Sequence, residues 1–398
     1  MTEKLYYEDA YKKEFTATVL DCREGKKGYE VVLSATAFYP EGGGQPFDMG
    51  ILCPVGNDEG QEIVHVLEVH EKNGELLHYT DALLAVGVQV CGKIDWARRF
   101  DLMQQHSGEH IVSGLVHAAY GYDNVGFHMG SETITIDFNG ELDEAAMHEI
   151  EAKANEVIWQ NQKTLIFYPS PDELSVLSYR SKKELSGAVR IVEFPAAEGL
   201  PCVDRCACCG THVAFAGEIG MIKLLSVVKF REGVRMEMIS GKRVLDYLNR
   251  INEQNHQISV MLSAKPYHTA EAVRRSMDES FQLKGRVLTL EEKLFAQEAQ
   301  RLTDAGNVLL FEKGLDSDSV RKLAVAVMEV CGGRCAVFSD NKDGTFKYAI
   351  GEKDGDLRAL VKEMNQALNG RGGGKPFFAQ GSVKSSENEI REFFESCQ

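Results

Sequence analysis

The segment "HSGEH" places His106 and His110 four residues apart. On a helix that spacing puts both imidazoles on one face, as two ligands of one metal need. Far downstream, "RCACCGTHVAF" places Cys208 and His212 four apart on a turn containing Gly210. One sulfur and three imidazoles form a donor set suited to Zn²⁺, and the expectation is one ion per chain. Cys202, Cys206 and Cys209 crowd the same stretch and are rival sulfur ligands. Four protein ligands would close a structural tetrahedron, whereas a catalytic site keeps a position for water; the spacing leaves both open. The same five letters match the inverzincin peptidase pattern H-x-x-E-H, with Glu109 as general base. That class takes a carboxylate as third ligand, and the evident partner here is a Cys–His pair.

Two glycine triplets raise a second question. "YPEGGGQPFD" spans residues 39–48 and "GRGGGKPFFAQG" spans residues 370–381. Each triplet is followed by a polar residue and proline, and each reads as a binding loop.

The elements that must position these residues follow from pattern. Residues 1–93 read as strands, among them "FTATVLDC", "YEVVLSATAF" and "EIVHVLEVH", packed as a small β-barrel. Residues 94–241 mix helices and strands as an α+β metal-binding domain. "RRFDLMQQHSGEHIVSGLVHAAYG" has helical spacing and stops at Gly121, "SETITIDFNG" alternates like a strand, and a further helix starts near Asp143. Residues 242–305 are helical, with a break at "SAKPYHT". There Phe281, Leu288, Phe295 and Leu302 recur every seventh residue beside Val287 and Leu294. That stripe suits either packing on its own domain or a homodimer. Residues 306–398 form a small α/β domain with strands at "NVLLFEKG", "CAVFSDN" and "KYAIGEK". The fold class is α+β, multidomain.

Composition bounds the function. A net charge of −16 over 398 residues excludes indiscriminate nucleic-acid binding, but not shape-selective RNA binding through local basic patches. No apolar run approaches a membrane span, and the N-terminal "MTEKLYYEDAYKKEF" lacks the apolar region of a signal peptide. The expectation is a cytoplasmic protein. The ten cysteines then point to metal or redox chemistry more than to a disulfide framework.

"SATAFYPEGGGQPFDMG", "HSGEH", "GFHMG" and "CCGTHV" occur in the order found in the editing domain of alanyl-tRNA synthetase. The chain resembles the AlaX-type free-standing alanyl-tRNA editing proteins in their long form. The helical stretch and "GRGGGKPFFAQG" resemble the synthetase's C-terminal DHHA1 domain. This resemblance implies a trans-editing hydrolase that deacylates tRNA-Ala mischarged with serine or glycine. It implies His106, His110, Cys208 and His212 as zinc ligands. Cys209 stands where the family usually has glycine. Gly42, Gly43, Gly44 and Gln45 match the loop against the editing pocket, and Thr36 matches the hydroxyl associated with serine recognition. Arg371, Gly372, Gly373, Gly374 and Lys375 are implied to meet tRNA. Gln104 and Glu109 flank the ligands and could position water, or be solvated helix residues. His128 is either pocket-lining or a satisfied buried histidine. Arg190 and Arg235 could reach the tRNA acceptor end, or form ordinary ion pairs. The rivals are an inverzincin-type zinc peptidase and a non-catalytic tRNA-binding protein with structural zinc.

Overall fold

The computed structural model describes residues 2–25, 28–55, 63–181, 188–197, 201–341 and 343–397. The chain packs as two compact units, Met1–Gln254 and Asn255–Gln398. The first opens with β1 (Glu3–Lys4) and the single-turn α1 (Leu5–Glu8). Next comes β2 (Glu14–Gly25), whose inward Phe15, Ala17 and Val19 alternate with exposed or half-buried residues. β3 (Gly28–Leu33), β5 (Gly50–Pro54), β6 (Val64–Lys72), β7 (Glu75–Thr80) and β8 (Gln89–Ile94) complete a closed barrel in the order β2-β3-β7-β6-β5-β8. Because β8 pairs with both β2 and β5, no edge is left to solvent. The two-residue β4 (Ala35–Thr36) pairs instead with β1, in parallel.

From the barrel the chain enters α2 (Trp96–Tyr120), capped by the Asp95 carboxylate on Arg98 N and ended by Gly121 at φ 72°. This helix is buried on nearly every side from Leu102 to Gly114. Polar groups there must find partners inside the protein, which confines chemistry to one stretch. β9 (Asn124–Met129) and β10 (Ile134–Phe138) precede α3 (Glu144–Gln160), which Asp143 caps. β11 (Leu165–Phe167), the short α4 (Pro171–Val176), β12 (Ile191–Phe194) and β13 (Asp204–Ala207) follow, then β14 (Ile222–Phe230) and β15 (Gly233–Ser240). The strands form two antiparallel sheets, β14-β15-β10-β9 and β11-β12-β13. α2 packs against α3, β13 and β15, and its Leu102, Met103, Ile111, Val112 and Val116 join the core of both.

α5 (Lys242–Met261) leads into the second unit, where α6 (Thr269–Arg301) begins after the break at Pro266. The seven-residue stripe divides. Phe295 is buried and Leu302 packs beside it on the C-terminal core, whereas Phe281, Val287, Leu288 and Leu294 are exposed. The remaining chain alternates β16 (Gly306–Lys313), α7 (Ser317–Met328), β17 (Gly332–Asp340), β18 (Phe346–Glu352), α8 (Arg358–Ala367), β19 (Arg371–Lys375), β20 (Phe378–Val383) and α9 (Glu387–Ser396). The sheet runs β16-β17-β18-β20-β19, with only the first pair parallel. Alternation along β17 serves both faces. Cys335 and Val337 meet α6 and α7, while Ala336 and Phe338 meet α8 and α9. "GRGGGK", expected as a loop, is therefore the edge strand β19. A Cβ at Gly372 would lie 2.2 Å from Tyr348 Oη, and one at Gly374 would lie 2.2 Å from the Phe378 carbonyl. The glycines let this strand close on its neighbours.

Candidate metal centre

Helix α2 presents His106 and His110, and the turn after β13 presents Cys208 and His212. One donor atom from each falls within 4.8 Å of all the others. Cys208 Sγ stands 3.5 Å from His106 Nε2 and 3.4 Å from His212 Nε2. The three imidazoles are buried. Cys209 is exposed and outside the cluster. Cys202 and Cys206 are held as neutral thiols: burial pushes Cys202 up to about 11, and Cys206 higher still. Burial also opposes ionisation of Cys208, but the charges of His106 and His212 hold its thiol well below the ordinary value. It is the thiolate that ligates.

Each imidazole is oriented by a group behind it. Thr211 N–H donates to Gln45 Oε1 at 3.0 Å, and Gln45 Nε2 donates to Thr211 Oγ1 at 2.8 Å. The amide cannot be flipped, so its oxygen must accept from His106 Nδ1, 2.9 Å away. Asp204 Oδ2 accepts from His110 Nδ1 at 2.8 Å. Ser107 Oγ, which also accepts Val213 N–H, lies 3.2 Å from His212 Nδ1. Partners on Nδ1 leave Nε2 for a metal. Burial works against charge on His110, yet the hydrogen bonds it makes to Asp204 and Cys208 raise it to about 9. Burial drives His212 well below its ordinary value, against the pull of the neighbouring Cys208. A second grouping, His110 with Asp204 and Cys206, already holds a cation: Arg180 Nε sits 2.7 Å from Asp204 Oδ1. The four-residue cluster therefore fits a zinc ion by donor chemistry, oriented tautomers and a ready thiolate.

The first glycine triplet delivers Gln45. Gly42 and Gln45 exchange two backbone hydrogen bonds of 3.0 Å around Gly43 and Gly44, at φ 61° and 87°. Two positive φ values in succession make a tight hairpin turn that side chains resist. A Cβ at Gly44 would also lie 2.5 Å from the Phe127 ring, which stacks on His106 with centroids 5.6 Å apart. At the loop's base, Tyr39 N donates to Asp48 Oδ2 at 2.6 Å and Asp48 N donates to the Tyr39 carbonyl. Arg99 of α2 is fully buried against Asp48 and also donates to the carbonyls of Ala10 and Ala37. The turn is thus tied to the helix carrying His106.

Other candidate residues are placed as follows. Thr36 is fully buried, 2.8 Å from His78 Nε2 and accepting Phe38 N–H at 3.1 Å. Gln104 donates to the Glu218 carbonyl and accepts Lys242 N–H, joining α2 to the start of α5. Glu109 is buried, accepts from Ser113 Oγ and Asn124 Nδ2, and is not among the four clustered donors. His128 is exposed; the alternation of β9 turns Phe127, not His128, toward His106. Arg190 Nη1 donates to the carbonyls of Cys208 and Gly210 at 2.7 and 3.0 Å, fastening the ligand turn. Arg235 pairs with Asp137 on the neighbouring strand. In the second unit Arg371 to Lys375 are all exposed. With Arg358, Lys362 and Asn365 of α8, Gly372 to Lys375 line a groove of about 340 Å³. Ser107, Thr211, Asp204, Phe127 and the Asp48–Arg99 pair carry no spacing signal that sequence reasoning could have used.

Three family models match the chain. Residues 2–98 match tRNA synthetases class II (A), residues 189–252 the threonyl and alanyl tRNA synthetase second additional domain, and residues 304–398 the DHHA1 domain. The alanyl-tRNA editing protein AlaX-L of Pyrococcus horikoshii is 28% identical over 98% of this chain and 96% of its own length. This chain is similar to the alanyl-tRNA editing proteins along nearly its whole length. Aarsd1 of Bos taurus, also named an alanyl-tRNA editing protein, is 29% identical over 89% of this chain and 82% of its own. An alanine–tRNA ligase from Halorubrum lacusprofundi is 32% identical over 96% of this chain, which spans only 42% of the ligase. A solved C-Ala domain from Aquifex aeolicus alanyl-tRNA synthetase overlaps 23% of this chain and 85% of its own at 19% identity, with a TM-score of 0.20.

Among the described residues no helix is long and apolar enough to cross a membrane.

Proposed function

We propose that the chain hydrolyses the ester joining serine or glycine to the 3′ end of tRNA-Ala. The supporting observation is Gln45, which links the glycine turn, the loop the family places against its substrate, to the ligand His106. His106, His110, Cys208 and His212 would hold zinc, which supplies Lewis-acid polarisation or an ionised water when bound. The chain's own residues supply position. The turn brings bare backbone close to the aminoacyl end, and the buried wall of α2 and Phe127 keeps out bulk water. Aminoacyl esters are labile, so holding the ester and a water together contributes much of the rate. The carboxylate of Glu109, engaged by Ser113 and Asn124, does not support a peptidase reading.

An alanine pocket cannot strongly reject glycine or serine, so fidelity needs a second pocket with a different test. Thr36 is the residue for it. His78 lies 3.1 Å from the Val31 carbonyl through Nδ1, and burial drives it down to about 4, so it is neutral and donates there. Its Nε2 then accepts the Thr36 hydroxyl proton. Thr36 Oγ1 also takes Phe38 N–H and retains one lone pair, an acceptor for a serine hydroxyl. Thr36→Val should lower serine hydrolysis relative to glycine hydrolysis by about ten- to a hundredfold, and cost about 1–3 kcal/mol of stability. An unchanged ratio would remove Thr36 from this role.

The deciding experiment is incubation with Ser-tRNA-Ala, Gly-tRNA-Ala and Ala-tRNA-Ala, with and without chelator. Release of serine and glycine, with alanine spared and chelator inhibiting, is expected. Binding of tRNA-Ala without turnover would leave a structural zinc. Contact with tRNA is proposed for Arg371, Lys375 and the groove beside α8. Homodimerisation is proposed through the exposed Phe281, Val287, Leu288 and Leu294.

A further inference from the structure

Cys53 on β5 and Cys91 on β8 are register partners in the barrel wall. Directly opposed residues of an antiparallel pair project from the same face. Here that face is the outer one. Leu52, Val90 and Ile94 are buried inward, Gln89 and Lys93 are exposed outward, and the two cysteines are half-buried free thiols. Val55 N–H donates to the Gln89 carbonyl at 2.7 Å. The ladder repeats every second residue, so Cys53 and Cys91 occupy a hydrogen-bonded position, where Cα atoms lie ~5.5 Å apart. Disulfides bridge Cα separations of about 4.4–6.8 Å, a range that includes this one, and drawing the two Cβ atoms into bonding range asks only a small local adjustment of the strands.

We infer that Cys53 and Cys91 form a reversible dithiol–disulfide device that responds to small-molecule disulfides such as oxidised glutathione. One thiolate attacks a sulfur of the oxidant, breaks its S–S bond and expels one glutathione thiolate. The second cysteine, after losing its proton, attacks the mixed disulfide and expels the other glutathione. Two protein thiols lose two electrons and two protons, and two glutathione thiols carry them. The new bond would fasten two strands with direct access to the metal centre. β5 follows the turn that carries Gln45, and β8 runs into the helix that carries His106. Asp95 N already donates to the Met49 carbonyl at 2.7 Å where they meet. This inference does not depend on the reaction proposed above.

The test uses the full zinc-loaded chain. It is incubated with mixtures of oxidised and reduced glutathione, alkylated, digested and analysed by mass spectrometry. A Cys53–Cys91 linked peptide that dithiothreitol removes is expected. Its formation should raise the midpoint of thermal unfolding by several degrees, because a cross-link constrains the unfolded chain, and Cys53→Ser should abolish that rise. Alkylation of both residues after excess oxidised glutathione would overturn the inference. So would a glutathione adduct that persists on either thiol, or linkage confined to other cysteines.

Discussion

The two glycine triplets have the same composition and different physical reasons for it. At Gly43 and Gly44 the backbone takes positive φ, and the turn places Gln45 behind His106. At Gly372 to Gly374 no φ is positive and the segment is an edge strand; at Gly372 and Gly374 neighbours come too close for a Cβ. One is a conformational requirement at an exposed turn that places a buried residue, and the other a steric one at an exposed edge strand. Identical letters therefore carry different sensitivities to substitution.

The largest expected effect lies at the cluster the first triplet supports. Cys208→Ala should lose most of about one bound zinc per chain and all zinc-dependent deacylation, while Cys209→Ala keeps both. Metal analysis of the two variants checks this, and the reverse result would reassign the sulfur ligand. Next comes the turn itself. Gly44→Ala meets both a positive φ and the Phe127 ring, and should cost about 2 kcal/mol or more. Gln45→Ala should weaken zinc binding about ten- to a hundredfold through its loss from His106. Chemical denaturation and zinc titration read the two effects. If Gly44→Ala is silent, the turn has no conformational requirement and the comparison fails.

Smaller effects are expected at the second triplet. Arg371→Ala with Lys375→Ala should weaken tRNA-Ala binding and flatten its salt dependence, leaving turnover at saturating substrate unchanged. Normal binding at several salt concentrations would limit β19 to a structural role. Smallest of all is Gly373→Ala, where a Cβ meets nothing within 4 Å. Its stability should stay within about 0.5 kcal/mol of wild type by the same denaturation measurement.

Much of this was legible in sequence because it is local. The His-x3-His pair, the Gly121 stop, the Asp143 cap and the strands "CAVFSDN" and "KYAIGEK" depend on spacing within one element. The second triplet misled because a turn and an edge strand both tolerate glycine, and only tertiary neighbours separate them. The groups behind the imidazoles were illegible for the same reason. Asp204 and Gln45 reach His110 and His106 from other parts of the fold, and nothing in their own surroundings marks them. Arg190 stood open between a nucleic-acid contact and an ion pair, and its hold on the Cys208 carbonyl was not visible, because an arginine's target cannot be read from its neighbours in sequence.

The four candidate ligands come as two pairs far apart in sequence, His106 with His110 and Cys208 with His212. Each pair is short enough to grip an ion before the chain between them has folded. The ion can therefore act as a kinetic trap during folding, held by one pair together with a neighbouring thiol such as Cys202 or Cys206. Correct ligation waits for β13 to dock on α2, a contact of long sequence separation and hence a slow one. If the cluster holds zinc as proposed, the ion would pin β13 to α2, two elements far apart in sequence.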